Sequence, residues 1–235
     1  MVICVAGPIA AGKNFVCSIL EEWGFFCLDA DQEIHKIIGE KQAEILSRFS
    51  QIAASRGINL RAADGSLDRR ALGKLLFKDS ALLAEQEKIL YPEFVARVQA
   101  LIDAQNCGST GIESKPKTVR GLAINAALLY KTPSLLRQCQ KIIYVDAPLL
   151  VRFWRIRRRD RLPLLQIIRR IKSQKGLFNE YKRFAADYGI EMVRVWNWGR
   201  GAEFEMKMNN GFSDMKDSRV TSLNEAFSDI KKKFI

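Results

Sequence analysis

The sequence predicts an α/β fold in which a mostly parallel sheet is flanked by helices. Two observations carry this. Apolar runs of strand length alternate along the chain with helical patterns, as β–α–β units do. The first such unit is also explicit: Val2–Ala6, then Gly7-Pro8-Ile9-Ala10-Ala11-Gly12-Lys13-Asn14, reads as a strand, a small-residue loop and a helix start. At 235 residues and 48% hydrophobic, the chain can bury one good core, so a single domain with embedded subregions is expected.

The elements follow in order. After the strand Val2–Ala6, Phe15, Val16, Ile19 and Leu20 are spaced to pack a helix on a sheet, from about Asn14 to Trp23. Gly24 breaks it, and Phe25–Leu28 is a short apolar strand. A long helical region runs from about Gln32 to Gln105, interrupted near Gly57–Gly65 and again at Pro92. Cys107–Lys117 is a polar surface loop. Val119–Asn125 and Lys141–Asp146 are two further strands, and Leu150–Arg183 is helical and very basic. Glu191 to Asn209 holds two alternating runs around Gly199-Arg200-Gly201, a candidate hairpin. Ser222 is placed to cap a last helix with Leu223, Ala226, Phe227, Ile230 and Phe234 on one face.

Composition narrows the function classes. No apolar run is long enough to cross a membrane, and the first residues pattern as a strand rather than a signal peptide. The five cysteines lack C-x-x-C spacing, so they read as reduced thiols of a cytoplasmic protein and not as disulfides or zinc ligands. The net charge of +12 favours polyanionic partners: nucleotides, coenzymes with several phosphates, or nucleic acid.

Three constellations carry chemistry. Gly7, Gly12 and Lys13 match the G-x-x-x-x-G-K-[S/T] phosphate loop, whose backbone N–H groups and following helix N-terminus cradle phosphates; Asn14 replaces the final hydroxyl. The plainer alternative is a strand–turn–helix with a solvated Lys. Asp29-Ala30-Asp31 ends the second strand, at the edge where open α/β sheets bind ligands. With one residue between them, one carboxylate faces the site while the other holds a helix start, or both cap the helix near Gln32. His35, the only histidine, follows one turn later. Third is the run Arg152, Arg155, Arg157, Arg158, Arg159 and Arg161, continued by Arg169, Arg170, Lys172 and Lys175. Arg155 and Arg159 share a helix face, and a forked guanidinium suits the charge of a transferring phosphoryl group. The rival readings are a solvated basic helix and an RNA-binding face on which Trp196 and Trp198 would stack bases, although two residues apart on a candidate strand they share one face and suit hydrophobic packing better.

At this point the residues resemble a known family. Asp29-Ala30-Asp31 with His35, Asp64-Gly65-Ser66-Leu67-Asp68-Arg69, Leu76-Phe77 and Ile89-Leu90-Tyr91-Pro92 resemble dephospho-CoA kinase. So do Ala127-Leu128-Leu129, Val145-Asp146-Ala147, Arg155 with Arg159-Asp160, and Arg170 with Gln174. The order and rough spacings agree from residue 1 to about 190. The resemblance implies a P-loop kinase fold: core sheet from 1–31 and 118–160, a helical coenzyme-binding region at 32–106, a lid at 161–190, and a C-terminal extension with a helix at 191–235. It implies transfer of the ATP γ-phosphoryl group to the ribose 3′-hydroxyl of dephospho-CoA, with Mg²⁺.

By position, the resemblance makes Asp31 the general base, with Lys13 and Arg155 on the transferring group. Gly7, Ala10, Ala11, Gly12, Lys13, Asn14, Phe15 and Arg159 would bind nucleotide, and Asn14 the metal. Asp29, His35, Arg69, Arg170 and Gln174 would contact the substrates. The chain departs from the family at several points. Asn14 stands for a hydroxyl, Ala10 for a glycine, Tyr91 for a histidine, Ala127 for a proline and Lys131 for a glutamate, and Pro8 removes a backbone donor. The remaining alternatives are a P-loop kinase with another nucleotide-like acceptor and an inactive nucleotide- or RNA-binding relative. The adenine-side segment of the family has two candidates here, Asn197 with Gly199 and Asn209 with Gly211.

Overall fold

Every strand of the sheet ends its run at one common edge, and that edge is where the sequence places its chemistry. The computed structural model describes residues 1–77, 79–106 and 120–198. Among these the sheet has five strands in the order β2-β3-β1-β4-β5. They are β1 (Val2–Ala6), β2 (Phe25–Asp29), β3 (Gly121–Asn125), β4 (Lys141–Asp146) and β5 (Glu191–Trp196). β1 pairs in parallel with β3 (Ile3 opposite Ala123) and with β4 (Ile3 opposite Lys141), and β4 pairs in parallel with β5. The loop after β1, Asn125, Asp146 and Asn197 therefore all lie at the carboxyl edge.

β1 is buried along its whole length, as a strand covered on both faces must be. Ile3 and Val5 face a cluster with Val16, Cys17 and Leu20 of α1 (Lys13–Glu22). Tyr144 of β4 packs edge-on against Phe178, with ring centroids 5.1 Å apart, and lies 5.9 Å from the ring of Tyr181. The fully buried Tyr181 hydroxyl accepts from Leu129 N at 2.9 Å and donates toward Ala127 O at 3.3 Å. Tyr181→Phe leaves that N–H without its partner, so unfolding in denaturant should register a loss of about 1–3 kcal/mol.

Residues 29–103 form a compact unit distinct from 1–28 with 104–235. It contains α2 (Ala30–Glu40), α3 (Gln42–Ser55), α4 (Arg69–Leu76) and most of α5 (Ser80–Asn106). The Asp64–Arg69 segment has a plain local role. Asp64 accepts from Ser66 N, Arg61 and Leu67 form a short antiparallel bridge, and Asp68 caps α4 through Arg70 N and Ala71 N. Arg97 binds Glu33, Glu40 and Glu93, tying α2 to α5.

Two sequence expectations are corrected. Pro92 does not interrupt its helix: α5 runs through it. An interior proline costs about 3 kcal/mol. Against that, Leu82, Gln86, Leu90, Phe94, Val98 and Ile102 are all buried at spacings of four, and each large apolar side chain contributes roughly 1.5–3 kcal/mol. Conversely, 150–183 is not one helix but three. α7 (Leu149–Asp160), α8 (Leu164–Lys172) and α9 (Leu177–Asp187) follow the short 3-10 turn Leu129–Lys131 and α6 (Pro133–Leu136). Arg161 caps α7 in a left-handed conformation, and Leu162, the residue before Pro163, is steered away from helical geometry, so that α8 starts anew after the proline.

The first run of the candidate hairpin is β5. Its partner run to Asn209, the turn at Gly199, the loop at Cys107–Lys117 and the helix from Ser222 lie outside the described residues. Among the described residues no helix is long and apolar enough to cross a membrane.

Candidate functional site

The loop between β1 and α1 is shaped by three residues with positive φ: Gly7 (144°), Ala10 (59°) and Gly12 (102°). A Cβ on Gly7 would sit 2.0 Å from the backbone oxygen of Val145 in β4, and one on Gly12 would sit 2.0 Å from Asn197 Nδ2. Both glycines are thus required by close approach as well as by conformation. Ala10 has no such licence, since a left-handed residue with a Cβ carries strain of roughly 1–2 kcal/mol. Gly12 also begins α1 without a side-chain cap, which leaves the positive helix end for an anion.

Cations close around this loop. Lys13 Nζ donates to Gly7 O at 3.1 Å, folded back along the loop. Arg155 Nη1 donates to Ala10 O (3.1 Å) and Ala11 O (3.3 Å), and its Nη2 donates to Asn197 Oδ1 (2.9 Å). All of these acceptors are neutral. Burial lowers the pKa of Arg155 from its ordinary value, and no described carboxylate compensates it. Asp146, the acid of the neighbouring strand end, is already taken: Arg194 holds its Oδ2 at 2.7 Å. A half-buried guanidinium facing only dipoles is an anion site in electrostatic terms.

The other predicted residues divide between the two units. In the first, Phe15 is half-exposed on α1. Asn14 Oδ1 accepts from the buried Asn125 Nδ2 at 2.9 Å. Gln174 Oε1 accepts from Ile9 N at 2.7 Å, so a residue two positions past α8 grips the loop itself. Arg159 and Arg170 both pair with Asp160 (2.6 and 3.2 Å), which fixes α8 to α7. Arg155 and Arg159, four apart, therefore serve different partners. In the second unit, Asp29 is a helix cap, accepting from Asp31 N (3.0 Å) and Gln32 N (3.1 Å). Asp31 and His35 are exposed on α2 one turn apart, and Arg69 is exposed at the start of α4.

Sequence reasoning gives Asn125 no role, and Arg152 none beyond its place in the basic run. Asn125 had a signal, being the one amide ending an otherwise apolar strand. Trp196 and Trp198 do sit together, with ring centroids 5.9 Å apart, though β5 ends at the first.

A family model described as dephospho-CoA kinase matches residues 1–192. The chain belongs to the dephospho-CoA kinase family. The dephospho-CoA kinase of Treponema denticola is 36% identical over 208 residues, covering 88% of this chain and 87% of the relative. That of Treponema pallidum is 34% identical over 214 residues, covering 88% and 92%. Among solved structures, the dephospho-CoA kinase of Campylobacter jejuni aligns with a TM-score of 0.58 at 19% identity, over 100% of this chain and 98% of that one, and so shares the fold. The family is one of ATP-dependent kinases, and the loop, Lys13 and Arg155 fall inside its matched span.

Proposed function

We propose that this member of the family transfers the ATP γ-phosphoryl group to the 3′-hydroxyl of dephospho-CoA in the cytoplasm, completing CoA. The observation that carries it is Arg155: half-buried, facing only neutral acceptors, and set over an uncapped helix start beside Lys13. In this reading the loop amides from Ala10 to Asn14 receive the phosphates. Lys13 releases Gly7 O to bind the outer ones, and Arg155 stabilises charge on the equatorial oxygens. The acceptor oxygen forms its bond to the γ-phosphorus while the bond to the β–γ bridging oxygen breaks, and ADP departs. Asp31, exposed and in the first turn of α2, takes the hydroxyl proton. Asp29 holds the helix start, and His35 and Arg69 bind the acceptor. Arg159, Arg170 and Gln174 cover the nucleotide.

Asn14 fits a magnesium role. Its amide oxygen gives one lone pair to Asn125 and keeps another, and magnesium needs few protein ligands when phosphates and waters complete its shell. The ion would neutralise charge on the β- and γ-phosphates. Asn14→Ser should hold or raise turnover at low Mg²⁺ in a titration of rate against the metal. A severe loss would mean that the site is adapted to the amide, with Asn125 holding it in place.

The deciding assay mixes the protein with ATP, Mg²⁺ and dephospho-CoA and reads CoA by mass. Formation at turnover rates is expected. Absence of CoA from folded protein that still binds ATP would refute the acceptor, and a panel of nucleosides and nucleotides would then be tried.

A further inference from the structure

Ile9 is held from both sides by residues far away in sequence. Its N–H goes to Gln174 Oε1 (2.7 Å), and its carbonyl accepts from Arg152 Nε (3.0 Å). The next residue is Ala10, left-handed without being glycine. Arg152 is 6% exposed. Its Nη2 is buried with no hydrogen-bond partner among the described residues. Arg152 is thus a buried cation whose one described hydrogen bond goes to the loop.

We propose that Arg152 is a positioning residue for nucleotide binding: it clamps the Ile9 peptide so that the loop keeps Ala10 in its left-handed, phosphate-ready conformation. Gln174 secures the opposite edge of the same residue, and Arg155 secures the two carbonyls that follow. A peptide fixed on both sides leaves the next residue little choice of backbone angle. In a loop with glycine at that position, the left-handed form carries no steric penalty and needs no outside hold. Here the alanine raises its energy, and the distant side chains supply what the local sequence lacks. The inference rests on the phosphate-loop reading above but is independent of the acceptor.

The test is a double-mutant cycle between positions 152 and 10, read by the affinity for a fluorescent ADP derivative and by steady-state kinetics. Arg152→Met should raise the dissociation constant for the ADP derivative and the KM for ATP about ten-fold. kcat should stay within about three-fold, with the KM for dephospho-CoA unchanged, since ground-state positioning of one substrate is what is lost. In the Ala10→Gly background, the same substitution should raise the constant by only about two-fold, because glycine holds the loop unaided. Arg152→Gln keeps a donor in reach of Ile9 O and should restore most of the affinity. Equal losses in both backgrounds would overturn the clamp and leave Arg152 as a charge only. Should Arg152→Met fold poorly by thermal melting, Arg152→Gln and Arg152→Lys are compared across the two backgrounds, with the same criterion. No binding of the ADP derivative by the unaltered protein would instead refute the phosphate-loop reading itself.

Discussion

Lys13→Ala should lower phosphoryl transfer by about 10²–10³-fold, the usual consequence of removing a cation aimed at charge that develops in the transition state. The melting temperature should hardly change. In the structure the Nζ rests on Gly7 O and Pro8 O, two carbonyls at the mouth of the loop, and not in the core. Nucleotide binding should weaken far less than turnover falls, since the loop amides and Arg155 remain. The measurement is kcat beside the dissociation constant for ADP. Retained turnover at the unaltered rate would remove Lys13, and with it the phosphate-loop assignment, from the mechanism.

Alanine at the two loop glycines should produce two different failures. At Gly7 the added carbon would lie 2.0 Å from Val145 O and 3.0 Å from Val145 C, in the fully buried backbone of β4. Nothing there can swing aside, and φ is also unsuited to a side chain, so the whole sheet edge must shift. Gly7→Ala should cost about 4 kcal/mol or more, at the far end of point-mutant effects, and is expected to show as loss of folded protein. At Gly12 the clash is with a side chain, Asn197 Nδ2. Asn197 can be evicted, but it is the acceptor for Arg155 Nη2. Gly12→Ala should therefore leave a folded protein, milder in its melting shift, that has lost most nucleotide affinity because Arg155 and the loop are both disturbed. Circular dichroism melting and ADP titration separate the two. A folded, stable Gly7→Ala protein would contradict the packing described here.

The parts legible in the sequence are those fixed by local chemistry. β1 and the loop were readable because a buried strand running into Gly7…Gly12-Lys13 has few other interpretations. The caps at Asp29 and Asp68 follow from their own next residues. What escaped was long-range. Nothing near Pro92 says that six positions at spacings of four would be buried by other elements, yet that burial carries α5 through the proline. The break at Leu162-Pro163 was locally visible, but the density of arginines read as one helix. At the site, Lys13 and Arg155 could be found from spacing. The grips of Arg152 and Gln174 on Ile9 could not, since they join residues separated by 143 and 165 positions. Of the two adenine-side candidates, Asn197 bonds Arg155, and Asn209 lies outside the described residues.

The strand order has a bearing on synthesis. β1 sits between β3 and β4, and its first register partners are Leu122 and Lys141. Among the described elements it leaves the ribosome earliest, yet its flanking strands emerge on the order of ten seconds later at about 5–20 residues per second. The unit at 29–103 draws on neighbours within its own stretch and can consolidate during that interval. Val2–Ala6 meanwhile stays an uncommitted apolar ribbon with both hydrogen-bonding edges open. Nascent chains stalled before Gly121 are therefore the species most prone to join one another through that ribbon, and any holding chaperone would find its natural grip there.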